Sequence, residues 1–192
     1  MDSSRPCAAN PLTSHEPRSA PGRSVCQMRD RRFANLGESG LQLGDRLVEE
    51  GIGAGALALA VVPNGVPVAR ETARRAGLEL AGLRVNRSNE GVRVVALPDV
   101  SGRSVLVIDD GVETGRVARA VATALRDVGA SEVVLAVPVC PRKAMAELSP
   151  RYDRIVAVET PVASQPLASY FDDFDIIDEA TAERFLAEMY LS

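Results

Sequence analysis

Short unbroken runs of apolar residues recur along this chain, and between them lie stretches where apolar residues return every three or four positions. The runs are ALALAVV (56–62), LELAGLRV (78–85), VRVVALP (92–98), SVLVIDD (104–110), EVVLAVPV (132–139) and RIVAVET (154–160). Runs of this length, bounded by Gly, Pro or Asp, read as strands, and those without polar alternation as strands buried on both faces. The intervening stretches read as helices over about 30–50, 67–77, 114–128, 141–148 and 179–190. In the third of these Val117, Val121, Leu125 and Val128 recur at helical spacing, and Gly129 ends it. In the first, Leu36, Leu43, Leu47 and Val48 share a face, while Gly37, Gly40 and Gly44 weaken the helical reading. PNG (63–65) reads as a tight turn and NRSNEG (86–91) as a loop.

Strands alternating with helices predict an α/β fold, with a central, mainly parallel sheet flanked by helices. The strand 104–110 carries the strongest buried pattern and is expected in the middle. Ligands of such sheets bind beyond the carboxyl ends of the strands. That places three loops, 63–66, 84–91 and 109–116, at one edge. Residues 1–28 are rich in Pro, Ser, Arg and Ala without periodicity and read as a disordered extension, with Met28 as an alternative start. The domain is expected over 29–192.

Composition narrows the chemistry. A chain of 192 residues, 46% apolar and 25% charged, is enough for one domain with a real core. A net charge of −4 argues against nucleic acid and anionic membrane as partners. The longest apolar run, GALALAVV (55–62), is too short to cross a bilayer, and the N-terminus lacks the apolar core of a signal peptide. Cys7, Cys26 and Cys140 have no metal-site spacing, which fits a reducing cytoplasm. His15 is the only histidine, so Ser-His or Cys-His catalysis and His-ligated metals are nearly excluded.

The candidate chemistry lies in DDGVETGR (109–116). Gly111 and Gly115 permit backbone conformations closed to other residues. The loop runs into a helix N-terminus expected near Thr114, whose free N–H groups and dipole favour an anion. The Thr114 hydroxyl and the Arg116 charge add to this. Asp109 and Asp110 suit the opposite role: they accept hydrogen bonds from sugar hydroxyls or hold Mg²⁺. A phosphate site beside a hydroxyl site describes a binder of ribose 5-phosphate. An Asp-Gly turn that only caps a helix is the simpler alternative; the full combination is more specific. The P-loop does not fit, because Gly111 and Gly115 are three residues apart and Arg-Val follows. GIGAGA (51–56) precedes a strand where a dinucleotide fingerprint would follow one.

VLVIDDGVETG (105–115) resembles the phosphoribosyl pyrophosphate (PRPP) motif of the type I phosphoribosyltransferases: four apolar residues, two acids, then a loop of small residues and Thr. RDRRFANLGESG, PNGVPVA, LAVPVCP, ETP and YFDDF extend the likeness over roughly 29–190. They are similar to the bacterial group described as predicted phosphoribosyltransferases. The resemblance implies a Mg²⁺-dependent enzyme that transfers ribose 5-phosphate from PRPP to a nitrogenous base. The alternative is a catalytically weak regulatory protein of the same fold that binds PRPP or a nucleotide. Dimers are common in the family.

The same resemblance implies roles for individual residues. Asp109 and Asp110 would bind the ribose hydroxyls, directly or through Mg²⁺. Gly111, Val112, Thr114, Gly115 and Arg116 would cradle the 5-phosphate. Asn64 and Gly65 would contact pyrophosphate, assisted by Arg84. Glu113 would be a general base or anchor for the acceptor base, with a solvated loop carboxylate as the equal alternative. Arg87 and Arg93 have solvated surface charge as the plain alternative, and Arg84 and Arg87 would make up for the weak pyrophosphate loop if 84–91 folds over the site. Tyr170 and Phe171 offer aromatic faces for a base, with core packing as the competing role. Three departures stand out. PNGVPVA is one residue shorter than the family's PRGGVPVA and lacks its Arg. The span 86–103 is short, so the hood over the site is reduced. Val117 replaces a Thr common after the TG pair.

Overall fold

The structure is a computed structural model and describes residues 33–189. The extension expected over 1–28 lies outside the described residues. Six strands form one sheet in the order β3-β2-β1-β4-β5-β6. They are β1 (Leu57–Val62), β2 (Glu79–Ser88), β3 (Gly91–Ala96), β4 (Ser104–Ile108), β5 (Glu132–Val139) and β6 (Arg154–Glu159). The helices are α1 (Leu36–Glu49), α2 (Gly65–Ala76), α3 (Arg116–Asp127), α4 (Arg142–Leu148) and α5 (Glu179–Met189). β1, β2, β4, β5 and β6 run parallel; only β3 is antiparallel, folded back on β2. β1 and β4 are the two central strands, so the most apolar run sits where sequence patterning expects it.

Period-two alternation distributes each strand between two cores. Leu57, Leu59, Val61, Val105 and Val107 face α3 and α4. Ala58, Ala60, Val62, Leu106 and Ile108 face α1, α2 and α5. Burial of each such Val, Leu or Ile contributes about 1.5–3 kcal/mol, which is why unbroken apolar runs mark the covered strands.

α1 begins at Leu36. Asn35 caps it, its Oδ1 accepting the Glu38 N–H at 2.9 Å, while Glu38 Oε2 accepts the Ala34 N–H at 2.8 Å. The glycines that weaken the helical reading of this segment have a packing role. A Cβ on Gly40 would sit 2.4 Å from the Val68 carbonyl oxygen, and one on Gly44 would sit 2.6 Å from Arg75 Cβ. α1 and α2 therefore cross with their backbones nearly in contact, and the Thr72 hydroxyl donates across the crossing to Gly40 O at 3.0 Å. Propensity counts these glycines as a cost; the tertiary contact requires them.

Two local expectations are corrected. The segment 86–91 is not an open loop: β2 continues to Ser88 and turns tightly into β3, pairing Ser88 with Gly91. The hairpin satisfies backbone groups that a loop would leave to water. The strand read as 104–110 stops at Ile108, and α3 starts at Arg116 instead of near Thr114. The residues between are shaped as a turn.

Beyond β6 the chain reaches a 3₁₀ turn, Leu167–Tyr170, which periodicity does not reveal. This stretch is pinned to the start of α1. Phe33 N–H donates to Tyr170 O at 2.8 Å, Asp172 N–H to Phe33 O at 2.8 Å, and Asp173 N–H to Ala34 O at 3.0 Å. The rings of Phe33 and Phe171 stand 5.3 Å apart, both buried. Tyr170 and Phe171 thus serve the core and are not available to stack on a ligand.

Candidate functional site

Asp109 and Asp110 stand immediately past the end of β4, between β1 and β5. The Asp110 N–H donates to Asp109 Oδ1 at 2.9 Å. Burial, reinforced by the charge of Asp110, pushes the Asp109 carboxyl well above the ordinary range. Burial also raises Asp110, against the opposing pull of hydrogen bonds with Asp109 and Asn64 and of the Arg87 charge. Two adjacent acids withdrawn from water oppose folding unless they meet hydroxyl donors or a cation.

The turn that follows supplies the complement. Gly111 has φ +151° and Gly115, the N-cap of α3, φ +68°. At Gly111 a Cβ would also sit 2.4 Å from Leu167 Cδ2. Val112 N–H donates to Val139 O at 2.8 Å, which ties the turn to β5. Arg119 holds the Thr114 carbonyl, its Nη2 donating at 2.9 Å. Among the described residues, no protein acceptor meets the N–H groups of Glu113, Thr114, Gly115, Arg116 or Val117. Unpaired N–H groups at the positive end of a helix make an anion nest. Arg116, exposed at the first position of α3, adds a full charge.

These groups open into one cleft of about 600 Å³, which also receives Asn64, Arg87 and Glu113. Asn64 precedes α2 but makes no capping bond to it; its Oδ1 is buried without a partner, and its side chain stands beside Asp110, where it counters the rise of that carboxyl. Asn is a strong helix cap, so a cap residue turned away from its helix marks a side chain used by the site.

Of the residues singled out in the sequence, Asn64 and every member of 109–116 line the cleft. Two do not. Gly65 packs beneath it, where a Cβ would meet Ile108 O at 2.8 Å; the glycine lets α2 start directly over the end of β4. Arg84 points to the other face of β2, where its Nη2 pairs with Glu183 of α5 at 2.6 Å. Arg87, for which the sequence left both a surface charge and a place over the site open, lines the cleft. Strand parity could have found it: Leu83 and Val85 belong to the α3-side core, and Arg87 continues their face. Arg84 shares the face of Leu80 and Gly82.

The far wall of the cleft was also missed. It is formed by Pro166, Leu167, Ala168, Phe174 and Ile176. Glu113 reaches it, its Oε1 accepting the Leu167 N–H at 2.8 Å. Cys140 has no part in the chemistry: it is buried and its thiol is pushed up to about 11 by burial. Among the described residues no group of three acidic, Cys or His side chains forms a metal cage. No helix among them is long and apolar enough to cross a membrane.

Comparison with known proteins agrees with this fold. The TT1426 protein of Thermus thermophilus is 25% identical, with a TM-score of 0.72 over 82% of this chain and 98% of that one. A purine phosphoribosyltransferase of Pyrococcus horikoshii shares the fold at 17% identity, with a TM-score of 0.50 over 74% of this chain and 92% of that one. A Mycobacterium tuberculosis protein assigned by name to the phosphoribosyl transferases is 39% identical over 62 residues, 32% of this chain. That match spans only 14% of the length of the mycobacterial protein. The family model for the phosphoribosyl transferase domain matches residues 58–171, from β1 through the carboxylate pair and the glycine turn to the start of the wall. This is more than half of the chain, which belongs to the phosphoribosyl transferase domain family and has the type I fold.

Proposed function

We propose that the protein transfers the 5-phosphoribosyl group of PRPP to a nitrogenous base. The observation that carries the reading is the half-buried pair Asp109–Asp110 set directly against five unpartnered N–H groups. The 5-phosphate accepts from the N–H groups of 113–117, the Thr114 hydroxyl and Arg116. Asp109 and Asp110 accept from the 2- and 3-hydroxyls of the ribose. The pyrophosphate lies toward Asn64 and Arg87. The bond from C1 of the ribose to the pyrophosphate oxygen breaks, pyrophosphate leaves with the electron pair, and a ring nitrogen of the base bonds to C1. The nitrogen proton passes to Glu113, whose Oε2 is not engaged by Leu167.

Mg²⁺ fits the donor set, which is all hard oxygen. Asp109 and Asp110 would hold it, with PRPP and water completing the shell, as is usual where this ion has no all-protein cage. There it would neutralise charge on the departing pyrophosphate.

The short first loop favours a second reading of the same cleft. Asn64 brings no charge where relatives carry Arg, and Arg87 alone faces the leaving group. Charge-assisted hydrogen bonds contribute about 1.5–3 kcal/mol each, so the missing one costs roughly tenfold in PRPP affinity or more. Ribose 5-phosphate is therefore expected to bind comparably to PRPP. Calorimetric titration of both with Mg²⁺ measures this, and Arg87→Ala should weaken PRPP alone. PRPP consumption with supplied bases separates a transferase from a nucleotide-binding regulator. PRPP binding a hundredfold tighter would mean that Arg87 fully replaces the missing Arg.

A further inference from the structure

The phosphate turn and the cleft wall meet at two points, both at Leu167. Its N–H donates to Glu113 Oε1 at 2.8 Å, and its side chain lies over Gly111. Leu167 opens the 3₁₀ turn, so this N–H has no acceptor within the turn itself. Pro166 before it has no N–H to offer. On its far side the wall is anchored by Phe33 and Ala34 through Tyr170, Asp172 and Asp173. Between β6 and Leu167 the segment 160–166 is largely exposed. The edge of the wall that faces the cleft is therefore held by the turn at 111–113 and by the packing of Leu167 and Phe174 against the core, and the Glu113 bond is its polar tie to the turn.

We infer that Glu113 is a positioning residue that latches this wall to the phosphate turn, so that a phosphate seated in the turn sets the wall for the second substrate. The Glu113 N–H is one of the five unpartnered groups of the nest. An anion bound there fixes the backbone from which the Glu113 side chain reaches Leu167. Coupling of this kind is reciprocal: a wall ordered by an acceptor tightens the hold on the phosphate. The latch uses Oε1 and leaves Oε2 to the acceptor, so one carboxylate serves both substrates. The identity of the ligands rests on the phosphoribosyl reading; the latch itself does not.

Amide hydrogen exchange on the full chain, with ribose 5-phosphate as probe, tests both parts. The Leu167 amide is expected to exchange at least tenfold more slowly in the wild type than in Glu113→Ala. Glu113→Gln, which keeps an oxygen acceptor, restores the slow rate, whereas a pure charge effect would not be rescued. Amides of β4 serve as the control that each variant is folded. Ribose 5-phosphate should slow exchange at 113–117 in all three proteins, and at 167–170 in the wild type and Glu113→Gln only. Equal Leu167 rates in wild type and Glu113→Ala overturn the latch, as does protection of the turn without protection of the wall in the wild type. If the probe protects no amide of the turn, the phosphoribosyl reading fails instead, and the coupling with it, while the Leu167 comparison still decides whether the bond exists.

Discussion

Replacing both Asp109 and Asp110 with Asn is expected to abolish binding of PRPP and ribose 5-phosphate while making the protein more stable. The two effects have one cause. The pair is half-buried at the floor of the cleft, and Asp109 in particular is pushed well up by desolvation and by its neighbour's charge. For a carboxyl whose folded value is raised, the stabilising contribution is fully present below the unfolded value and is lost as pH rises through the folded one. At neutral pH the pair therefore works against folding, and its removal relieves about 1 kcal/mol, a rise of roughly 2–4 °C in Tm. Asn at 109 keeps an oxygen for the Asp110 N–H, so the turn is not lost. Affinity falls because hydroxyls lose their charged acceptors, at about 1.5–3 kcal/mol each, a hundredfold or more for the two together. Wild-type affinity should also strengthen with rising pH as the pair ionises, a dependence absent from the double variant. Calorimetry across pH and a thermal melt check all three. Undiminished affinity, or a lower Tm, would reduce the pair to a structural turn.

The second large effect lies far from the cleft, at the crossing of α1 and α2. Gly40→Val is expected to destabilise by about 3 kcal/mol and Gly40→Ala by about 1–2 kcal/mol, although Ala favours a helix over Gly by about 1 kcal/mol. The obstacle is backbone: the new Cβ would stand 2.4 Å from Val68 O and 3.0 Å from Val68 Cα, and neither can rotate away. The helices must part, which also breaks the bond from Thr72 to Gly40 O. Gly37→Ala is the control and should be near-neutral, its Cβ meeting only the Asn35 side chain at 3.3 Å and Glu71 at 3.8 Å. Urea unfolding of the three variants measures the order. A Gly40→Ala protein as stable as the wild type would mean that the crossing is looser than this packing describes.

Both results bear on what could be read from the chain. The strands were legible because each central strand is covered on two faces, so burial is written as an uninterrupted apolar run. The turn 109–116 was legible because its shape is local: two acids, two glycines with positive φ and a helix start lie within eight residues. What escaped depends on contacts between distant segments. Gly40 looks like a helix breaker until Val68 is seen against it. Arg84 and Arg87 look alike as candidates for the site until the parity of Leu83 and Val85 is carried past the last apolar residue of β2, which turns Arg87 to the cleft and Arg84 away. The wall at 166–176 carries no periodicity, since its conformation is imposed by Phe33, Ala34 and Glu113 and not by its own sequence.

The pairing of Phe33 with Tyr170–Asp173 bears on the order in which the protein is made. The sheet needs nothing beyond Glu159, and its neighbours along the chain are close together, which favours early formation. The wall must wait until residues past Tyr170 return to a segment made before β1, a closure across nearly the whole described chain. A nascent chain interrupted after β6 would already carry the carboxylates and the unpaired N–H groups, with no wall opposite them. The cleft wall is thus placed after the strands that carry the carboxylates.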